Sequence, residues 1–283
     1  PREVTNHLLD ALENAPDEPG PLVWVYPFDE YCSLVRDKDC RLEQVFNEDT
    51  FLGETIQGGA PVNTVISTGN LRKLLADDPE RILRSILIAP VTAAETLYPF
   101  TDKGGKVVFY GALASAPIEL QARLGLCCVT PLLGTVEIDS SLNIDLFSEG
   151  NINKTLHVVE QFAGGGLTET IDAPDVESLV LAKQDNRTRV IAAKRGNLAF
   201  LRAVLPCSPD VQINERFMVM QPPSESFPTE RLLRHVLSTF AWKLSADAFS
   251  IDTILPRWNI SRYDNAFFFS LLAPDTSCSL RVN

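Results

Sequence analysis

Metal-ligand spacings are missing from this sequence: it contains no Cys-x-x-Cys and no His-x-x-x-His, and its three histidines, His7, His157 and His235, lie far apart in the chain. A zinc or other metal site built on such motifs is therefore not expected. Six cysteines in 283 residues are too sparse for a disulfide scaffold, and the adjacent Cys127 and Cys128, set in an apolar run, read as small core-filling hydrophobes. That usage fits a reducing, cytoplasmic compartment. Basic residues are also scarce, 25 against 37 acidic for a net charge of −12. Such a chain repels phosphate backbones, so neither nucleic acid nor an anionic membrane is an expected partner. The charge-free stretch Leu124–Val136 is thirteen residues long, short of the roughly 20 that a membrane-spanning helix needs. No dinucleotide fingerprint, no Gly-Lys-Ser/Thr phosphate loop and no Gly-x-Ser-x-Gly elbow occurs, so no cofactor is expected and no nucleophile is marked. The first residues lack a basic-then-apolar leader and an initiator Met, and the last ones stop directly after a strand pattern, which reads as a piece of a longer chain.

What the sequence does contain is alternation. Leu22–Tyr26, Val62–Ser67, Ser85–Ala89 and Lys106–Tyr110 are short apolar, β-rich runs bounded by Pro, Gly or Asn. They are the pattern of strands buried on both faces of a parallel sheet. Between and around them, helical spacing places apolar residues on one side of 2–14, of the segment from 29 to 51, of Asn70–Leu83 with Asn70 as N-cap, of Thr92–Phe100 with a Thr92–Glu95 capping box, and of Pro117–Leu124 closed by Gly125. Strands alternating with such helices predict a doubly wound, mostly parallel α/β sheet of the flavodoxin-like kind. From Gly134 the period becomes two, in Val136–Asp139 and Leu142–Leu146, and β signals continue to Val204 with turns at Asp185-Asn186 and Gly196-Asn197. This predicts an antiparallel β insertion over about 134–185. One amphipathic helix returns at Pro228–Leu244, and Ile254–Val282 reads as the start of a β-sandwich. The expected division is an α/β domain over 1–247 and a truncated β piece over 248–283.

In an open parallel sheet ligands bind beyond the carboxyl ends of the strands, which directs attention to four places. Asp29 and Glu30 follow the first strand and could divide acid and base roles between them; equally, they suit a helix N-terminus. Thr68, Gly69 and Asn70 open a helix whose free N–H groups could hold an anion, or that is plainly capped there. Tyr110 and Gly111 form the turn after the fourth strand. Trp258 could stack on a sugar ring, with core packing as the alternative. No serine or cysteine occupies the Tyr110-Gly111-Ala112 turn, and His235 lies within a helix, so no triad is assembled.

The runs VWVYPFD, NTVISTG, SILIAP and GGKVVFYGAL together resemble the class I glutamine amidotransferase-like fold. In particular they resemble the trimerisation domain that follows the barrel in family 42 β-galactosidases and related large glycoside hydrolases. WNISRYDNAFFFSLLAPDTSCSLRVN is similar to the opening of the β-sandwich that follows such a domain in bacterial proteins of this kind. The likeness covers residues 20–130 and 186–283. Amidotransferases carry a nucleophilic cysteine at the turn that aligns with Tyr110-Gly111-Ala112, and its absence implies that such activity has been lost. The resemblance implies a non-catalytic ancillary module of a carbohydrate-processing enzyme, with other domains of the same polypeptide, a homo-oligomer and carbohydrate as the expected partners. A small hydrolase using carboxylates at the strand ends and a sugar-binding module are the alternatives.

Overall fold

The computed structural model describes residues 18–29, 64–140, 155–158, 166–203, 229–240, 249–251, 258–262, 267–271 and 280–282, with the single positions 13, 32, 51, 55 and 62. All of the expected helix over 2–14 except position 13, most of the segment from 29 to 51, and Leu142–Leu146 lie outside the described residues.

The four apolar runs form β1 (Leu22–Tyr26), β2 (Thr64–Ser67), β3 (Ile86–Pro90) and β4 (Lys106–Tyr110). They are parallel in the order β2-β1-β3-β4, with Trp24 opposite both Val65 and Ile88, and Ile88 opposite Val108. Because side chains alternate across a strand, each strand feeds two cores. Val23, Val25, Leu87, Ala89, Val107 and Phe109 pack on one face, against Leu71, Leu97, Phe100, Leu120 and their neighbours. On the other face Trp24, Ile88, Val108 and Tyr110 join a core that includes Phe51 and the apolar side of a later helix.

The helices on the first face are α1 (Thr68–Asp77), α2 (Glu80–Leu83), α3 (Ala94–Asp102) and α4 (Ile118–Leu124). Asn70 does not cap α1; Ser67 does, its side-chain oxygen accepting from the Asn70 N–H at 3.2 Å. The Thr92–Glu95 box is likewise not formed, because Val91–Ala93 makes a single 3-10 turn and α3 begins one step later, after Ala93. Gly125 ends α4 in the left-handed region at φ +64°, as its position after the last apolar residue predicts.

The β-rich half extends this sheet. β6 (Gly134–Ser140), β7 (Thr155–Val158), β9 (Glu177–Gln184), β10 (Arg187–Arg195) and β11 (Leu198–Leu201) complete a nine-stranded order, β2-β1-β3-β4-β11-β10-β9-β6-β7. β11 is parallel to β4, Phe200 lying opposite Phe109, and it is reached by hairpins at the two expected turns. The antiparallel strands thus continue the parallel sheet edge to edge. β5 (Leu126–Leu132) and β8 (Leu167–Ile171) stand apart as a two-stranded antiparallel ribbon. Cys127 is only half-buried in that ribbon and Cys128 is exposed, which corrects their reading as core fillers. Cys128, Val129 and Thr130 are consecutive exposed residues, so the middle of β5 is open to solvent.

α5 (Thr229–Ser238) realises the Pro228–Leu244 helix as far as Ser238, Thr239 and Phe240 forming a turn, and its Leu232, Leu233, Val236 and Leu237 enter the second core. Near the C-terminus β12 (Phe249–Ile251) pairs with β15 (Leu280–Val282), and β13 (Trp258–Arg262) with β14 (Phe267–Leu271), both antiparallel. Among the described residues no helix is long and apolar enough to cross a membrane, and no group of three or more His, Cys, Asp or Glu could hold a metal ion.

Candidate functional site

The carboxyl ends of the parallel strands carry two separate polar groupings. At the ends of β1 and β2 the chain brings together Asp29, Thr68, Gly69 and Asn70. A Cβ placed on Gly69 would stand 2.8 Å from Asp29 Oδ2, so glycine is what allows that carboxylate to approach the first turn of α1. Arg72, one turn further on, lies 3.9 Å from the same oxygen. Both partners of that pair are more than half exposed (52% and 59%), so their attraction is weak. Thr68 is buried, whereas Asn70 is exposed. Glu30 lies outside the described residues.

Tyr110 ends β4 with its ring in the core. Its hydroxyl accepts from Trp24 Nε1–H at 3.1 Å, and its ring packs 5.1 Å from Trp24 and 4.9 Å from Phe51, centroid to centroid. The three aromatics form one buried cluster, so Tyr110 presents core packing at the strand end. Gly111 follows at φ +114°, and its N–H donates to Leu201 O at 3.1 Å, locking the β4 turn to the end of β11. That conformation belongs to glycine. Trp258 begins β13, opposite Leu271; its side chain lies outside the described part.

The second grouping, at the ends of β4 and β11, was not read from the sequence. Glu169 on β8 is 0% exposed and Arg202, directly after β11, is 1% exposed; Arg202 Nε lies 3.0 Å from Glu169 Oε1. The same oxygen accepts the Leu113 N–H at 3.1 Å, and Oε2 accepts the Thr168 N–H at 2.9 Å. A carboxylate held by one cation and two backbone donors meets the requirement that a buried charge be paired and hydrogen-bonded. Arg189 on β10, 8% exposed, joins the group: its guanidinium donates to the Thr188 and Thr130 carbonyls. Burial pulls its pKa below the usual arginine value, Arg187 adds to that, and Glu169 opposes it. One signal for this grouping was present: in Leu167-Thr168-Glu169-Thr170-Ile171 the glutamate shares its phase with two apolar residues, and a carboxylate on an apolar phase needs a partner.

Cys128 lies opposite Glu169 in the ribbon. Although its surface is partly open, loss of hydration beside the buried Glu169 raises its thiol pKa, and the Glu169 charge pushes the same way. It is therefore a poor nucleophile at neutral pH. His235, the one histidine whose surroundings are described, is 2% exposed on α5, and neither ring nitrogen has a hydrogen-bond partner among the described residues. The described residues therefore bring together no nucleophile, base and orienting acid.

No protein-family model matches the chain, and no curated protein matches it in sequence. Among solved structures it is similar to the β-galactosidase from the psychrophilic Marinomonas ef1, at 12% identity and a TM-score of 0.50, over 90% of this chain and 33% of that one. The β-galactosidase from the Antarctic haloarchaeon Halorubrum lacusprofundi gives 12% identity and a TM-score of 0.48, over 95% of this chain and 37% of that one. A glutamine amidotransferase from Thermotoga maritima gives 10% and 0.31, over 78% and 81%. A β-galactosidase, one of the kinds of protein named by the sequence resemblance, is thus among its structural neighbours. The chain spans about a third of the length of the β-galactosidases it matches, and its mixed, largely parallel α/β fold is one that the Marinomonas enzyme shares.

Proposed function

We propose that this chain is a non-catalytic ancillary part of a larger carbohydrate-processing enzyme, a glycoside hydrolase, in which it shapes an oligomer interface or one wall of the substrate cleft. The observation that carries this reading is the match of nine-tenths of the chain to only a third of a β-galactosidase. The chemistry of the strand ends supports it. The turn after β4 is Tyr110-Gly111-Ala112, without a nucleophile, and the carboxylate that reaches Leu113 just beyond it, Glu169, is buried and fully engaged. A carboxylate in that state can neither reach a glycosidic oxygen nor activate a water. In this reading residues 1–247 form the α/β unit and 248–283 the opening of the domain that follows, and the partners are the other domains of the same polypeptide.

Assay of the chain on a panel of nitrophenyl glycosides tests the proposal, together with light scattering of the full-length protein with and without this region. The expected result is no turnover by the chain alone, and a change of oligomeric state or KM when the region is removed. Turnover by the chain that Asp29→Asn abolishes would overturn the non-catalytic reading and favour a hydrolase working at the ends of β1 and β2.

A further inference from the structure

We propose that the carboxyl end of β4 and β11 is a receptor for a carboxylate, and that Glu169, delivered by the β5–β8 ribbon, is its built-in occupant. Two of the three donors belong to the main sheet and hold their places without the ribbon. Leu113 N–H is fixed by the turn after β4, where Ala116 N–H donates to Leu113 O at 2.9 Å. Arg202 is fixed by its own N–H, which donates to Ile191 O at 2.7 Å, and by the Gly111 N–H on Leu201 O. Arg189, close enough to Glu169 to feel its charge, is a second buried cation whose hydrogen bonds go to neutral carbonyls. Without Glu169 this place would hold two buried guanidinium groups and an inward-facing backbone N–H, a strong preference for an anion. It also lies where open α/β sheets bind their ligands. The occupant comes from elsewhere: among the described residues β8 pairs only with β5, outside the nine-stranded sheet. The ribbon therefore fills a carboxylate site of the sheet with a carboxylate of the same chain.

The ligand class follows from the group removed. Glu169→Ala deletes a CH2–COO⁻ unit, which is one acetate ion, and leaves the Leu113 N–H and Arg202 facing the vacancy. The proposal goes beyond the ancillary role, and its test does not depend on that role. Thermal melts of the wild type, Glu169→Ala and the double variant Glu169→Ala/Arg202→Met are compared in sodium acetate and in sodium chloride of equal ionic strength at pH 7.5. The wild type should melt at the same temperature in both salts. Glu169→Ala should melt well below it in chloride and recover several degrees, saturably, as acetate is added, the mass-action response to a ligand that binds only the folded state. The double variant should not respond. Should Glu169→Ala fail to fold in chloride, refolding in acetate but not in chloride is the expected result. Equal behaviour in the two salts, failure to fold in both, or undiminished recovery in the double variant would overturn the proposal.

Discussion

Replacing His235 with leucine should make this protein more stable, and the gain should grow as the pH falls. His235 is 2% exposed on α5, the helix that supplies Leu232, Leu233, Val236 and Leu237 to the core, and both its ring nitrogens are buried without a hydrogen-bond partner among the described residues. A neutral imidazole has one N–H donor and one lone pair. Both were hydrated in the unfolded chain, and neither finds a substitute on folding. An unmet buried polar group costs about 1–3 kcal/mol, and an apolar group of similar shape removes that cost. Counting only one of the two nitrogens, His235→Leu is expected to add about 1–3 kcal/mol at pH 8, or roughly 2–4 °C in Tm for each kcal/mol.

The pH dependence has a definite sign. Burial pushes the imidazole pKa below its ordinary value of 6.5, and the attraction of Glu177 opposes this less strongly. Above about pH 7 the ring is neutral in both states and contributes no pH dependence. As the pH falls through the ordinary value the unfolded chain takes up a proton that the native protein refuses, so native stability falls. The loss ends only once the pH has passed the lower, folded value. The leucine variant lacks this term, so its advantage should be smallest at pH 8 and widen through pH 6 to pH 5. Urea unfolding of both proteins at pH 8, 7, 6 and 5 measures it directly. A variant less stable than wild type at pH 8, with a gap that stays constant on acidification, would refute the reasoning and show that the ring makes a favourable contact.

Three further predictions concern a close backbone approach, a buried hydrogen bond and a surface ion pair. Gly105→Ala should cost about 1–3 kcal/mol or more, because its Cβ would overlap the fully buried Phe100 ring, while Gly104→Ala, with φ +86° but open space around it, should cost only the left-handed strain of about 1–2 kcal/mol; thermal unfolding that ranks them the other way would contradict the close approach at Gly105. Tyr110→Phe removes the acceptor of the Trp24 Nε1–H and should cost about 1–3 kcal/mol; adding Trp24→Phe should cost less than the sum of the two single changes, and strict additivity in a denaturant double-mutant cycle would show the bond to be energetically silent. Asp29→Asn should shift stability by no more than about 1 kcal/mol, since the Asp29–Arg72 pair is long and solvated; a larger loss in the same assay would mean that Asp29 is held by more than this pair.

The parallel strands were legible because burial on both faces leaves a simple mark, an apolar run bounded by breakers, and all of LVWVY except its last residue is fully buried. The alternation in β6 was legible for the complementary reason, one face wet and one dry. Strand direction leaves no such mark. LAFL in β11 is as uniformly buried as β1, yet it follows two antiparallel strands, and only its pairing with β4 shows that it completes the parallel half. β5 was missed because LCCVTPL has neither period and depends on β8, far along the chain, for its hydrogen bonds. The candidate site divides in the same way. The approach of Asp29 to Gly69 was reachable from the rule that strand ends gather loops. The Glu169–Arg202 pair required choosing the phase of LTETI, and the two choices bury either two threonines or a glutamate with its apolar neighbours. Leu167 decides the phase: it is fully buried, both threonines stay half-buried, Ile171 at the strand end is exposed, and the carboxylate is carried inward with Leu167. Once it is inside, the need for a cation is a matter of charge desolvation and can be stated from sequence. Which cation answers it is a matter of topology: Arg202 meets Glu169 because β11 returns beside β4, a crossing that local periodicity does not encode.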